Sequence, residues 1–292
     1  MRIANLHGRA VIVTGDGAAT DIHAASSGRF GPDLAELYDN WASFLPWATA
    51  ATLTADTMFA DTELGAPVPT PRQIFAVGLN YADHAAEGGV DVPEEPMIFT
   101  KFPACISGPY DDIPLRSDAV DYEAELVGVI GRPAQDVEED HAWDYLAGLT
   151  CGQDISDRRV QLSGPAPQQF SLAKSFHGFG PIGPWVVTRD EFAADLDIEV
   201  TGRLNGEVMQ SERTKTMLYP LPRIIAYLSS ILTLWPGDLI FTGTPAGVGW
   251  VREPRITLSP GDLVTTEIEG IGVMRNTCVD GHIPAGRTKS DA

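Results

Sequence analysis

The stretch that decides the fold is DYEAELVGVIG, which runs from Asp121 to Gly131. Every position from 126 to 130 is apolar, which predicts a strand that is covered on both faces. Glu123 and Glu125 are two residues apart, so on a strand they point to the same face. Buried carboxylates are costly unless a cation or hydrogen-bond donors compensate for them. The stretch therefore predicts either a metal site or, if this end is exposed, a solvated acidic face.

The sequence on both sides of this strand reads mainly as further strands and tight turns. A two-residue hairpin is predicted at Asn205-Gly206, and one helix is predicted over residues 223–234. Many short strands with few helices predict an α+β, predominantly β fold with a closed or nearly closed sheet. The predicted strands cover residues 74–77, 122–130, 146–154, 198–204, 207–210, 239–242, 263–268 and 271–279.

The first part of the chain has a different character. Residues 3–13 predict strands around the turn at His7-Gly8, and residues 33–44 carry apolar side chains at helical spacing. The proline-rich stretch GAPVPTP at 65–71 then interrupts regular secondary structure. We therefore predict a small N-terminal domain at 1–68, a catalytic domain at 69–284 and a disordered tail at 285–292.

Composition excludes several classes of protein. The chain has 292 residues, a formal net charge of −20 and no cluster of Lys or Arg, which argues against binding to nucleic acid. Its three cysteines have neither disulfide-framework nor zinc-site spacing. No apolar stretch is long enough to span a bilayer, and the N-terminus lacks the pattern of a signal peptide. These features predict a cytoplasmic protein with no membrane partner.

A third carboxylate follows the predicted strand at 146–154. Asp154 could complete an all-oxygen ligand set with Glu123 and Glu125, which suits a hard cation such as Mg²⁺ or Mn²⁺. Asp154 could equally be the N-cap of a helix that begins in the following residues. The sequence leaves both interpretations open.

Three further residues could take part in chemistry. His84 and Glu87 are three residues apart, so on a helix they could form a general base with its orienting carboxylate, or simply a surface pair. Gly88-Gly89 and the acidic residues that follow predict a mobile lid over residues 83–96. Lys174 lies in a glycine- and proline-rich setting and could bind a substrate carboxylate or remain a surface cation.

Six blocks in unbroken order resemble the fumarylacetoacetate hydrolase family across residues 72–280. The resemblance is specific because it depends on no single block. The blocks are FAVGLNYADHAAE, DYEAELVGVIG, GQDISDRRVQ, AKSFHGFGPIGP, LNGEVMQ and PGDLIFTGTPAGVG.

The resemblance implies a homodimer whose catalytic domain is a mixed β-roll or β-sandwich with a bound Mg²⁺ or Mn²⁺. It assigns roles to three groups of residues, which are expectations here. Glu123, Glu125 and Asp154 match the metal ligands; His84, Glu87 and Lys174 match catalytic residues; Arg158, Gln161 and Thr244 match positions that contact the substrate.

The resemblance also implies a reaction. The expected substrate is a small 2-oxo acid, and the expected activity is hydrolysis of a C–C bond in a 2,4-dioxo acid of the acylpyruvate type, with water activated by His84 and Glu87. Two other reactions fit the same site: isomerisation of a 2-hydroxyhepta-2,4-diene-1,7-dioate and decarboxylation of oxaloacetate. A non-catalytic metal- or ligand-binding protein is the alternative from another class.

Overall fold

The computed structural model describes residues 1–89, 91–164, 169–193 and 195–281. Within these ranges strands dominate and helices are short, so the predicted α+β, predominantly β class is confirmed. The strands are β1 Arg2–Leu6, β2 Arg9–Gly15, β3 Ala18–Asp21, β4 Thr57–Met58, β5 Leu64–Gly65, β6 Ile74–Gly78, β7 Met97–Thr100, β8 Ile106–Ser107, β9 Ile113–Leu115, β10 Val120–Asp121, β11 Ala124–Ile130, β12 Leu146–Gln153, β13 Ser156–Asp157, β14 Gly180–Thr188, β15 Glu199–Leu204, β16 Glu207–Arg213, β17 Leu239–Phe241, β18 Leu263–Ile268 and β19 Gly272–Asp280.

Short helices connect these strands. The α-helices are α1 Ile22–Ala25, α2 Leu34–Asp39, α3 Trp41–Ala50, α4 Ala82–Glu87, α5 Arg158–Gln161, α6 Phe170–Ala173 and α7 Leu221–Ser229. Single turns of 3₁₀-helix cover Asp61–Glu63, Pro103–Cys105, Arg189–Glu191 and Thr214–Thr216, and a longer 3₁₀ segment covers Glu139–Tyr145.

Two large sheets enclose the core, and β10 and β13 form a third sheet of two strands. The larger is 12-stranded and mixed, with the order β4-β3-β2-β1-β14-β12-β11-β17-β6-β7, and β5 and β8 pair beside it. The smaller is 5-stranded, with the order β16-β15-β18-β19-β9. Strand β11 is buried at every position, as predicted from its continuous apolar run. Val127 and Val129 on one face pack in one core cluster, and Leu126 on the other packs with Val200 and Ile268 of the smaller sheet.

The N-terminal segment continues the larger sheet. The predicted hairpin forms β1 and β2, and its turn residues His7 and Gly8 both have positive φ, which fits a two-residue hairpin of the primed type. Strand β1 also pairs with β14, and Ile3 shares a core cluster with Phe241. Sheet and core therefore run across residue 68, and the division into domains at that point stays a prediction.

Both predicted helices differ from the structure in their bounds. The segment 33–44 contains α2 and the start of α3, because the helical conformation is interrupted at Asn40. This residue is the C-cap of α2 and the N-cap of α3. The helix predicted over 223–234 is α7, which ends at Ser229. Its apolar continuation leaves the helix because Leu234 pairs with Ala134 through two backbone hydrogen bonds of 2.9 Å.

Two other predictions concern the ends of the chain and the membrane. The tail predicted at 285–292 lies outside the described residues. In the part of the chain that the structure describes, no helix has the length and apolar character needed to cross a membrane. Cytoplasmic location stays a prediction.

Candidate metal centre and active site

The three predicted metal-ligand carboxylates converge at the junction of β11 and β12. Glu123 directly precedes β11, Glu125 is its second residue, and Asp154 directly follows β12. Antiparallel pairing of Ala124 with Gln153 brings these ends together, and one ligand oxygen from each carboxylate lies within 4.8 Å of the others. All three side chains are buried, which excludes the solvated acidic face.

Asp154 is not the N-cap of the following helix. That position belongs to Asp157, whose carboxylate accepts hydrogen bonds from the backbone N–H groups of Arg159 and Val160 in α5. The alternative interpretation of Asp154 is therefore wrong, and its carboxylate faces two lysines instead.

Lys174 holds two of the three carboxylates. Its Nζ donates to Glu123 Oε2 and to Asp154 Oδ2, both at 2.6 Å. The side chain is 2% exposed, which excludes a surface cation. Burial disfavours the ammonium, but Asp154 and Glu123 outweigh that effect and raise the pKa of Lys174. Lys174 is therefore protonated at neutral pH.

Lys101 is a second buried lysine, on the other side of Asp154. Its Nζ donates to Asp154 Oδ1 at 2.7 Å and to the carbonyl oxygen of Phe179 at 3.1 Å, and it also contacts the carbonyl oxygen of Lys174. It is 0% exposed. Lys101 thus ties Asp154 to the segment that carries Lys174.

Arg158 connects Glu123 to another buried carboxylate. Its Nη2 donates to Glu123 Oε1 at 2.6 Å and to Asp121 Oδ2 at 2.7 Å, and its Nη1 donates to Gln161 Oε1 at 2.8 Å. Its Nε also bonds to Asp121 Oδ2 at 3.0 Å, which leaves one Nη1 hydrogen for another acceptor. Burial opposes ionisation of Glu123, but Lys174, Arg158 and His84 lower its pKa to about 2.

Glu125 differs from the other two carboxylates in its electrostatics. Burial is the largest effect, and the neighbouring charges of Asp154 and Glu123 add to it, so the pKa of Glu125 is raised well above its usual value. Its Oε2 accepts a hydrogen bond of 2.8 Å from the backbone N–H of Gly243, in the loop after β17. This carboxylate therefore gains most from an added positive charge.

His84 and Glu87 form a hydrogen-bonded pair on the wall of the same site. Helix α4 places His84 Nδ1 at 2.7 Å from Glu87 Oε1, as their spacing predicts. The second oxygen, Oε2, accepts from the backbone N–H of Gly247 at 2.8 Å. Because the carboxylate accepts at Nδ1, the imidazole has its proton there and Nε2 is the basic nitrogen.

Thr244 lies in the site but uses its hydroxyl within the protein. Its Oγ1 donates to the carbonyl oxygen of Ala124 at 2.9 Å and accepts from Gln210 Nε2 at 2.7 Å. The hydroxyl has one hydrogen, so it has none left to donate to a substrate. A contact between Thr244 and substrate would use a remaining lone pair of the hydroxyl or the backbone.

A cavity of about 580 Å³ joins these groups. This volume is within the range typical of small-molecule sites. Every predicted catalytic and substrate-binding residue lies on its wall, together with two of the three metal-ligand candidates. The third, Asp154, is bonded to Lys174 but does not line the cavity. These wall residues are His84, Glu87, Glu123, Glu125, Arg158, Gln161, Lys174 and Thr244.

The residues present fit a hard divalent cation. Glu123, Glu125 and Asp154 offer only oxygen ligands. An all-oxygen ligand set favours the binding of Mg²⁺ or Mn²⁺ over that of Zn²⁺. With Asp121, the cluster contains four carboxylates against three cations, so one negative charge is in excess when all are ionised. The structure thus contains an acidic triad that could bind a metal ion.

The sequence argument missed two charged residues of this cluster. Asp121 precedes Glu123 by two residues and so continues the alternation that singled out Glu123 and Glu125. Lys101 directly follows β7 and precedes Phe102-Pro103. A single charged residue at the end of a strand indicates a functional site more weakly than the alternation that includes Asp121. Gln210 gave no local signal, because β16 approaches the site only through the pairing of the smaller sheet.

Fold and site together define a class of protein, a β-rich protein with a buried all-oxygen acidic centre beside a His–Glu pair. The family model for the C-terminal domain of fumarylacetoacetate (FAA) hydrolase matches residues 73–279. The chain belongs to the fumarylacetoacetate hydrolase family. Members of this family are enzymes, and the FAH-type fold is confirmed by solved structures of relatives.

Particular relatives have different activities. A mitochondrial oxaloacetate tautomerase from Bos taurus is 44% identical over 216 residues, which is 73% of this chain and 68% of that protein. A candidate HpcE protein from Mycobacterium smegmatis has a TM-score of 0.92 and 50% identity, covering 97% of this chain and 100% of the other. Maleylpyruvate hydrolase from Sphingobium sp. SYK-6, solved with manganese(II) and pyruvate, has a TM-score of 0.79 and 27% identity, with coverage of 97% and 100%.

Proposed function

We propose that this protein hydrolyses a C–C bond in a 2,4-dioxo acid of the acylpyruvate type. The observation that carries the proposal is the His84–Glu87 pair, which lines the same cavity as the acidic triad. Hydrolysis requires a base with a free nitrogen such as His84 Nε2 to activate water, whereas a purely metal-dependent decarboxylation does not require such a base. The structural relative that is a maleylpyruvate hydrolase supports the same class of reaction.

The residues that would hold a divalent cation are Glu123, Glu125 and Asp154. When bound, Mg²⁺ or Mn²⁺ supplies Lewis-acid stabilisation for negative charge on the 2-oxo and carboxylate oxygens of the substrate. Its two positive charges would turn the single excess negative charge of the cluster into a positive one, which favours an anionic ligand. The relative solved with manganese(II) and pyruvate supports this assignment.

The chain's own residues provide the proton transfers. His84 Nε2 removes a proton from water, and the oxygen of that water attacks the distal carbonyl carbon. When the C–C bond breaks, its electron pair stays with the pyruvate moiety, which leaves as an enolate. A proton is then added to C3 of this enolate, the carbon that was bonded to the acyl group. The products are pyruvate and the carboxylic acid of the acyl group.

Glu87 and Lys174 have supporting roles. Glu87 keeps the proton of His84 on Nδ1 and is itself fixed by the N–H of Gly247, so the imidazole cannot rotate freely. Lys174 is a protonated ammonium beside the triad, so it attracts the negative charge of the substrate and is available as a proton donor to the enolate. The remaining Nη1 hydrogen of Arg158 is suited to a substrate oxygen.

A second candidate is tautomerisation of oxaloacetate. It is favoured by the 44% identity to the mitochondrial tautomerase, and it needs a base that moves a proton between C3 and the 2-oxo oxygen. His84 could remove the proton without activating water, and the protonated Lys174 could act as the proton donor. The isomerase and decarboxylase alternatives need the same enolate, and a non-catalytic protein would catalyse none of these reactions.

One assay distinguishes these candidates. Purified protein, stripped of metal and then saturated with Mg²⁺ or Mn²⁺, is given acetylpyruvate, oxaloacetate in keto and enol forms, and a 2-hydroxy-diene dioate. Loss of the ultraviolet absorbance of acetylpyruvate, with pyruvate and acetate formed in equal amounts, is the result expected. Rapid tautomerisation of oxaloacetate, without cleavage of acetylpyruvate or of a dicarboxylic acylpyruvate such as maleylpyruvate, would favour the second candidate and refute the first.

We also expect a homodimer that acts on a free 2-oxo acid, in the cytoplasm and without nucleic acid as a partner. Light scattering coupled to size-exclusion chromatography measures the mass of the particle directly. A particle of twice the 31.4 kDa chain mass is expected.

A further inference from the structure

The cavity has a buried end and an exposed end. Glu123, Glu125 and Lys174 at the buried end are each 5% exposed or less. The other end is formed by the segment after Gly247 and by the end of α5, and several of its side chains are exposed. The side chains of this outer wall are Leu162, Val248, Trp250, Val251, Glu253 and Arg255.

The cavity is larger than the part of the substrate that the buried end can hold. A pyruvate moiety has six non-hydrogen atoms, and at about 30 Å³ for each, the share of one water molecule, it fills about 180 Å³. The cavity volume is about 580 Å³. The cavity therefore leaves space for the group attached to the pyruvate moiety.

Among the described residues that line this cavity, Arg255 is the Lys or Arg without a carboxylate partner. Arg158 and Lys174 each bond to two carboxylates. Arg255 forms no ion pair with any described residue, although Glu253 is on the same wall, and its guanidinium carbon lies 4.4 Å from the ring centroid of Trp250. Stacking on an aromatic ring fixes the plane of a guanidinium but leaves its N–H edge free, and that edge matches a carboxylate in geometry.

The segment that carries Trp250 and Arg255 is attached to the buried end of the site. The backbone N–H groups of Gly249 and Trp250 donate to the carboxylate of Asp121 at 2.9 and 3.1 Å, and Asp121 is the partner of Arg158. Ile256 N donates to the carbonyl oxygen of Gly249 at 3.0 Å and closes the loop. The outer wall thus has a fixed position relative to the acidic triad.

We propose that Trp250 and Arg255 form a distal subsite that binds a second carboxylate, at the end of the group attached to the pyruvate moiety. The substrate is then a dicarboxylic 2-oxo acid, with one carboxylate at the buried end and the other paired with Arg255. This inference rests on the proposed function, which assigns the pyruvate moiety to the buried end of the cavity. It adds that the group attached to the pyruvate moiety ends in a carboxylate. Trp250 acts as a positioning residue for Arg255.

The test measures binding of ligands that cannot be cleaved. Saturated 2-oxo diacids of five, six and seven carbons are compared with 2-oxo monoacids of the same chain length, by isothermal titration calorimetry with saturating Mn²⁺. Each pair differs only by a carboxylate in place of a terminal methyl group. At the length that reaches Arg255, we expect the diacid to bind about 10-fold more tightly, the lower end of the range for a hydrogen bond to a charged group.

Three variants assign the preference to the subsite. Arg255→Gln should abolish the preference for the diacid and leave the binding of the monoacid unchanged. Arg255→Lys should keep part of it, because the charge remains and the planar fork is lost. Arg29→Gln is the matched control: Arg29 is also exposed and stacked on an aromatic ring, Phe30 at 5.1 Å, but lies outside the cavity, so the preference should be retained.

Other outcomes separate this inference from the proposed function. If wild-type protein cleaves acetylpyruvate but binds diacids and monoacids equally at every length, the distal subsite is refuted and the hydrolase stands. The same conclusion follows if Arg255→Gln weakens both ligands equally. If neither series binds, both proposals are wrong, because they share the buried end. A preference for diacids without any cleavage of acylpyruvates would retain the subsite and refute the hydrolase.

Discussion

Replacing Lys101 by Met should destabilise the metal-free protein far more than a surface substitution would. Lys101 is completely buried, and its ammonium bonds to Asp154 and to the carbonyl oxygen of Phe179. Methionine has a similar length but donates no hydrogen bond, so the buried carboxylate loses one of its two cations. Breaking a buried ion pair by removing one partner costs about 3–5 kcal/mol.

The size of the effect can be expressed as a change in melting temperature. Unfolding entropy is about 2.1 cal/mol/K per residue, so a chain of 292 residues has about 0.6 kcal/mol/K. A loss of 3–5 kcal/mol therefore lowers Tm by about 5–8 °C. Differential scanning calorimetry in the presence of a chelator measures this change, and urea unfolding gives the free energy independently.

Lys215→Met is the matched control. Lys215 is 63% exposed in its side chain and pairs with Asp197 at 3.3 Å. A surface ion pair of this kind contributes about 0–1 kcal/mol, because water and salt screen it. If Lys101→Met costs no more than Lys215→Met, the argument from the buried ion pair is wrong.

A double-mutant cycle tests whether the cost comes from charge and not from packing. In an Asp154→Asn background the acceptor has no charge, so the loss of Lys101 should cost about 1.5–3 kcal/mol less than in the wild type. Additive effects of the two substitutions would mean that Lys101 stabilises the fold through its hydrocarbon stem and its carbonyl contacts alone.

Three other predictions concern the reaction and the lid predicted over residues 83–96. His84→Ala should lower kcat/KM for acetylpyruvate by about 10²–10⁴-fold, the usual contribution of a positioned base, and lower oxaloacetate decarboxylation much less; equal losses would assign His84 to the fold. Glu125→Ala should abolish both activities, as should removal of divalent cations by a chelator, whose effect added Mg²⁺ or Mn²⁺ should reverse; activity that survives in chelator would rule out the metal. Residues 83–96 should gain protection from hydrogen exchange when oxalate binds with Mn²⁺, whereas equal exchange in both states would argue against a lid.

The strands of the site could be predicted because their signals are local. The continuous apolar run of β11 predicted burial on both faces, and the spacing of Glu123 and Glu125 predicted a shared face; the structure has both. The positive φ of Asn205 and Gly206 agrees with the predicted hairpin. In each of these cases one stretch of sequence contains all the information that the prediction needs.

What could not be predicted depends on partners that are distant in sequence. The true end of α7 is decided by the pairing of Leu234 with Ala134, which the apolar pattern of residues 223–234 does not reveal. Lys101 bonds to a carboxylate 53 residues away. The roles of Thr244 and Gln210 are likewise decided by a contact across 34 residues. The identity of a residue does not show where tertiary structure will place its hydrogen-bond partner.

The acidic triad by itself does not decide which reaction the protein catalyses. Hydrolysis of an acylpyruvate, tautomerisation of oxaloacetate and decarboxylation all develop negative charge on the same 2-oxo oxygen, so a cation held by Glu123, Glu125 and Asp154 assists each of them. The reactions differ in the source of the proton that is removed: water in hydrolysis, carbon C3 in tautomerisation and none in decarboxylation. The relatives of this chain include both a tautomerase and a hydrolase. The distinction must therefore lie with what His84 Nε2 reaches, which is a water in hydrolysis and the C3 carbon of the substrate in tautomerisation.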